Sequence, residues 1–249
     1  MFEEICYKKP FLKEVIMRVD FSAPLTQLES NLPQKVANTA VERFPISEPR
    51  KAIAEQLEVS PGGVQRKQSE FTEWNFFGRE REKRLVISPQ FIFITVSRYT
   101  AFEDLKSDFS SVLDSIFVNY PDSRGGRFGL RYINRIELGL TDPFTWDEYI
   151  SPDMLCLFTR FQERQTLARL FHIVDFKFDE LNVRFQFGMP NPDFPAPIKQ
   201  PVFVLDLDGY VQGLQDFQQI STNADQAHGS IQRLFEESIT ERLRGIMNA

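Results

Sequence analysis

Polar and apolar positions along this chain alternate with two periods, and the two periods mark out its elements. In "KEVIMRVDFS", Val15, Met17, Val19 and Phe21 alternate with Glu14, Arg18 and Asp20, the pattern of a strand with one buried and one wet face. Pro10 and Pro24 set its limits. The pattern then predicts a helix from Leu25 to Phe44, with Pro33 marking the true first turn, since proline suits that position and breaks a helix interior. "PISEPRKAIAEQLEVSPGG" is polar and bounded by prolines, and reads as a surface connection with a pair of helical turns in "RKAIAEQLE".

Three short strands follow, "SEFTEWNFFG", "KRLVISP" and "FIFITVSR", the first two joined by the charged turn "GREREKR". The third is apolar on both faces and suits a central strand. "TAFEDLKSDFSSVLDSIFVNY" is the clearest helix: Thr100 and Glu103 have capping-box spacing, and Phe102, Leu105, Phe109, Val112, Leu113, Ile116 and Tyr120 form one stripe. The strand "RGGRFGLRYINRIELGL" comes next, then a loop and short helix in "TDPFTWDEYISPDMLCLFTRF". "LARLFHIVDFKFD" and "LNVRFQFG" form a hairpin, a proline-rich excursion follows, and "VFVLDLDGYVQG" is the last strand. A helix from Asn223 to Met247, capped by Thr222 and Asp225, closes the chain.

Hairpins dominate and strands do not alternate regularly with helices, so the expected fold is α+β, a mostly antiparallel sheet with helices on one face. The element order suggests two pseudo-duplicated halves, residues 1–140 (β-α-β-β-β-α-β) and 141–249 (α-β-β-β-α), packed as one unit.

Candidate chemistry starts on the strand after the long helix. Counted by twos, one face carries Phe128, Leu130, Tyr132, Asn134, Ile136 and Leu138, and the other Arg127, Arg131 and Arg135. An amide on a buried face costs about 1–3 kcal/mol per unmade hydrogen bond, so Asn134 either bonds a neighbouring loop or helix end, sits outward through a bulge near Gly129, or lines a pocket. The arginines, about 13 Å apart at four-residue steps, are either a solvated face paired with acids or hold an anion through Arg131. Asp206 and Asp208 share a strand face, and with Asp175 as a third ligand would form a divalent-metal site, against a simpler reading as solvated carboxylates. His172 and His228 are the chain's two histidines; His228 lies beside the apolar stripe of the last helix, where a hydrogen-bonded core-edge role competes with a binding one.

Composition narrows the classes. A net charge of −6, from 29 basic and 35 acidic residues, argues against a generic nucleic-acid binder. No apolar leader or run of membrane length occurs, which points to a cytoplasmic protein. Cys6 and Cys156, the two cysteines, read as buried and inert, and the 25 phenylalanines as core. Neither Gly pair, "SPGG" or "SRGG", continues into a nucleotide motif, no nucleophile elbow occurs, and no cofactor is implied.

"KKPFLKEVIMRVDF", "GRFGLRYINRIEL", "VFVLDLDGY" and "AHGSIQRLFEESITERLRGIM", four blocks in order across nearly the whole chain, resemble a sporadically distributed family of uncharacterised prokaryotic proteins. Its members share a Gly-Leu-Arg-Tyr-x-Asn strand, here Gly129 to Asn134, and a closing helix here running from His228 through Phe235 to Ile239-Thr240. This chain has Lys9-Pro10-Phe11 where that family typically has two prolines. The resemblance implies length, element order and a cytoplasmic setting, with an association to accessory or defence genes, and no chemistry.

The expected function is a non-enzymatic interaction protein in which Arg127, Arg131, Asn134 and His228 form a recognition surface for a protein partner or a second copy. The alternatives are a divalent-metal-dependent phosphoryl-transfer or nucleolytic enzyme using Asp175, Asp206 and Asp208, and a small-ligand sensor.

Overall fold

The computed structural model describes residues 5–60 and 63–249. The first alternating run forms β1 (Leu12–Phe21), and a proline-started helix, α1 (Gln34–Arg43), follows it. Then come β2 (Ile46–Ser47), β3 (Arg50–Ser60), β4 (Gly63–Phe77), β5 (Lys83–Ile87) and β6 (Phe91–Val96). The long stripe forms α2 (Phe102–Asn119). β7 (Gly125–Glu137), α3 (Cys156–Arg160), β8 (Leu170–Phe178), β9 (Leu181–Met189), β10 (Val202–Gln215), α4 (Phe217–Ser238) and α5 (Glu241–Asn248) complete the chain.

The strands make one antiparallel sheet in the order β2-β4-β5-β6-β1-β7-β10-β9-β8, with β3 paired to β4 beyond that path. The fold is α+β, as the hairpin-rich pattern predicts. β1 and β7 lie side by side at the centre, flanked by β6-β5-β4 on one side and β10-β9-β8 on the other. From β1 to α2 the order is strand, helix, five strands, helix, and from β7 to α4 it is strand, helix, three strands, helix, so the two stretches resemble each other without matching strand for strand. Residue 140, the expected division, lies just past β7, whereas the repeat in element order begins with β7 itself.

The period of two sorts the central strands. Val15, Met17 and Val19, with Ile92 and Ile94, Phe128 and Leu130, Leu205 and Leu207, and Val183 and Phe185, are buried beneath the helices. α4 crosses β7, β9 and β10, α2 lies over β6, and α1 packs on α2. Among the described residues, no helix covers the opposite face of the sheet.

Five local expectations need correction. "RKAIAEQLE" is β3, extended and paired residue by residue with β4, because a full ladder of partners outweighs weak helix propensity. The stretch from Leu25 holds only a 3-10 turn at Thr26–Glu29 before α1. The N-cap of α2 is Ala101, without a side-chain cap; Thr100 stands one residue too early, and its hydroxyl donates to Asp104 Oδ2 at 2.7 Å. The closing helix is two: α4 begins at a capping box of Asp216 and Gln219, and α5 at Thr240, whose Oγ1 accepts from the Leu243 N–H. The break at Thr240 is held by chain pairing, with Ser151 N–H donating to Ser238 O and Thr240 N–H to Tyr149 O, both near 3 Å (2.9 and 3.0 Å). Both cysteines are exposed rather than buried.

Gly209 lets α4 sit close on β10. A Cβ there would stand 3.2 Å from Ala227 Cβ and 3.2 Å from Ile231 Cδ1. Gly209→Val is expected to push α4 off the sheet and lower stability by about 1–3 kcal/mol, the usual cost of overpacking. Urea unfolding of the two proteins measures it, and an unchanged midpoint would show that α4 tolerates the larger residue.

Candidate functional site

β7 supplies the residues of interest, and its alternation sends them to opposite sides. Arg127, Arg131 and Arg135 stand on the helix-free face, while Tyr132 and Asn134 point beneath the helices, where His228 of α4 meets them. The expected single surface of Arg127, Arg131, Asn134 and His228 therefore divides in two. The sheet lies between its halves.

On the helix-free face each β7 arginine has an acidic partner. Arg131 holds Asp206 through two bonds, Nε to Oδ1 at 2.7 Å and Nη2 to Oδ2 at 2.5 Å. This raises the guanidinium above its ordinary value, chiefly through the hydrogen bond. Arg127 lies 3.5 Å from Asp208 and over the Tyr210 ring at 4.9 Å. Arg135 pairs with Glu137. Arg18 bonds Asp20 at 2.7 Å and covers the Phe91 ring at 4.2 Å. Arg84 donates to Asn75 Oδ1 at 2.6 Å and lies near the rings of Phe77 and Phe93. Burial lifts the Asp208 carboxyl above its usual value against the pull of Arg127 and Arg131.

Pairing also disposes of the proposed metal set. Asp208 lies opposite Arg184 of β9, and Arg184 lies opposite Asp175 of β8, so an arginine stands between the two acids. Arg184 Nε and Nη2 hold Asp175 at 2.8 and 3.2 Å, and this hydrogen bonding keeps the exposed Asp175 below its ordinary value. Two strand spacings, about 9.6 Å, separate Asp175 from Asp208. Among the described residues no three His, Cys, Asp or Glu side chains gather at metal-binding distance.

Beneath the helices a cavity of about 60 Å³ lies between the ends of β1 and β7, α4, α5 and the segment preceding β1. Asn134 is 4% exposed, and its Nδ2 donates to Leu205 O at 3.3 Å, so the amide is held by neighbouring backbone while it lines the cavity. Tyr132 is buried beside it, its hydroxyl 3.2 Å from Tyr99 Oη and 3.0 Å from His228 Nδ1. The His228 ring stacks on Phe102 at 4.1 Å. Tyr7 closes the outer side by donating to Glu236 Oε1 at 2.7 Å, and Arg244 holds the other oxygen of that carboxylate at 2.8 Å. Burial and Glu236 push the Tyr7 hydroxyl far above its ordinary value, so it stays a donor across neutral pH.

The sequence reading missed Tyr7, Tyr99, Gln232 and Glu236. A signal existed for two of them: Gln232 and Glu236 follow His228 by four and eight residues, on the helical face that also carries Ile231 and Phe235. Tyr7 and Tyr99 reach the cavity only through the fold. His172 belongs to a separate cluster, stacked on Phe187 at 4.8 Å and near Phe158. Its Nε2 is buried without a hydrogen-bond partner, and burial lowers its pKa.

No family model matches this chain, and no curated protein matches it. Among solved structures, Methanococcus jannaschii TBP is similar over 90% of this chain and 99% of that chain, at 10% identity and a TM-score of 0.27, a likeness too slight to carry an argument. Among the described residues no helix is long and apolar enough to cross a membrane.

Two outcomes follow for these side chains. Asp206→Asn leaves the half-buried Arg131 without its carboxylate and is expected to cost about 1–3 kcal/mol, whereas Asp208→Asn, at a carboxyl already disfavoured by burial, is expected to stay within about 0.5 kcal/mol at pH 7. Chemical denaturation of both variants separates the two roles, and equal losses would contradict the distinction. His172, its folded pKa depressed, contributes stability that is present above its ordinary value of about 6.5 and is lost as pH falls through the folded value. Thermal melts between pH 7.5 and 5 are expected to fall more steeply for the wild type than for His172→Leu; parallel curves would remove His172 as a cause.

Proposed function

We propose that this chain is a non-enzymatic interaction protein whose helix-free sheet face binds a second copy of itself. The observation that carries this reading is the row of charges running across four strands, Asp175, Arg184, Asp208 and Arg131, in direct register. Its signs alternate. Rotated by a two-fold axis lying in the plane of the face, such a row meets its own reverse, and every charge faces its opposite. A face of this kind is complementary to itself.

Two further features support an interface. Arginines stacked on aromatic rings, Arg18 on Phe91 and Arg127 on Tyr210, stand beside the part-buried Ile16 and Ile133. Aromatic residues and arginine are the types enriched where proteins meet, and pre-formed ion pairs lower the cost of desolvating their charges. Eight strands at about 4.8 Å spacing and about six residues of length give a footprint of roughly 700 Å², near the roughly 800 Å² per partner of a standard interface. Among the described residues, Arg127, Arg131, Arg135 and Arg184 on this face are each paired with an acid, which favours a protein over a phosphate backbone as its occupant.

Sedimentation equilibrium tests the proposal. The wild type is expected to approach twice the 29.0 kDa chain mass at micromolar concentration. Ile133→Glu, at the centre of the face and only part-buried, is expected to weaken association at least tenfold with little change in melting temperature. Arg184→Asp should do the same by placing three acids in the row. A wild type that stays monomeric at about 100 μM, above the weakest affinities typical of specific dimers, sinks the proposal, as does a dimer that both variants leave intact.

A further inference from the structure

We infer that the cavity beneath α4 is a binding site for a small neutral molecule that presents an N–H donor beside a C=O acceptor, a primary carboxamide or a lactam edge on a short apolar body. The site lies on the opposite side of the sheet from the proposed dimer face and stands independently of it.

Asn134 sets the chemistry. Its side chain has two N–H donors and a carbonyl oxygen; one N–H goes to Leu205 O, which leaves one donor and one acceptor on a residue that lines the cavity at 4% exposure. The edge of the amide not bonded to Leu205 O lines the cavity, and the group that satisfies a donor and an acceptor there at once is another amide, in a reciprocal pair. Leu12, Ile231, Phe235 and Met247 supply apolar walls for the rest of the molecule. The negative end of the site is already spoken for: Glu236 is held by Tyr7 and Arg244. A carboxylate ligand would bring a second anion to apolar walls beside Glu236, with no cation to receive it at Asn134, so the neutral amide is favoured over its acid.

Size sets the limit. A volume of about 60 Å³, at roughly 10–15 Å³ per water-sized group, takes roughly four to six such groups. Propanamide, with five non-hydrogen atoms, matches that capacity. Larger lactams require the outer wall to move, and that wall is the irregular segment from Ile5 to Pro10. Among its contacts near the cavity are the bonds from Tyr7 Oη to Glu236 at 2.7 Å and from Lys9 N–H to Met247 O at 2.9 Å. The segment is thus a strap with a side-chain latch at Tyr7.

Propanamide titrated into the ¹⁵N-labelled wild type tests the assignment. The side-chain amide signals of Asn134 and the backbone amide signals of Ile231 and Phe235 are expected to shift saturably; by the backbone signals propanoate binds at least tenfold more weakly, Asn134→Leu binds propanamide at least tenfold more weakly, and Tyr7→Phe exchanges it several-fold faster. Shifts that never saturate, that map away from Asn134, or that propanoate reproduces equally would overturn it. Should Asn134→Leu fail to fold, the wild-type shift map and the propanoate comparison still decide.

Discussion

One-sided burial governs this structure. Among the described residues, the sheet buries one face under α1, α2 and α4 and no helix covers the other, so the central strands alternate, and a side chain's parity decides its fate. Arg131 and Tyr132 are neighbours in sequence and belong to different environments. The same rule explains why charges gather where they do: a charged side chain at an outward position keeps water and finds a cross-strand partner, as Arg131 finds Asp206, whereas at an inward position it would meet Leu130 or Leu205 and pay a desolvation cost of several kcal/mol.

Parity was legible in the sequence and long-range pairing was not. The strands from Leu12, Phe91, Gly125, Leu170, Leu181 and Val202 all show the two-residue alternation or apolar run that defines them. β3 escaped because Ala, Glu, Gln and Leu favour a helix locally, and only the hairpin ladder with β4, from Ser60–Gly63 out to Arg50–Glu73, makes the stretch extended. The metal set failed for a related reason. Asp206 and Asp208 were placed correctly on one face, but nothing local shows that Arg184 comes between Asp208 and Asp175. The helix starts at Asp216 and Thr240 depended on caps whose hydroxyl or carboxylate is common in loops, so the signal was present without being distinctive.

Asn134 shows how two readings of a buried amide can both hold. Its bond to Leu205 O is the structural role that a polar residue on a buried face requires, and it fixes the side chain's plane. A fixed plane is also what turns the remaining edge of the amide into a directional feature of the cavity wall. Satisfaction of one N–H is therefore the condition for recognition by the other, rather than its alternative.

The two faces of the sheet share their anchor points. Asn134 bonds the backbone of Leu205, and Arg131 bonds the side chain of Asp206, so adjacent residues of β10 tie the cavity to the charged face through one strand pair. Any displacement of the β7–β10 register felt at Leu205 is felt one residue later by the Arg131–Asp206 pair. A single strand is stiff along its length, and its backbone cannot shift by one residue without inverting both faces, so small tilts are the available motion. Coupling between an occupied cavity and the helix-free face requires that tilt to have two arrangements of different energy. Gly209, where α4 packs tightly on β10, lies three residues beyond Asp206, and the seating of α4 there joins the helix carrying His228 to the strand carrying the charges.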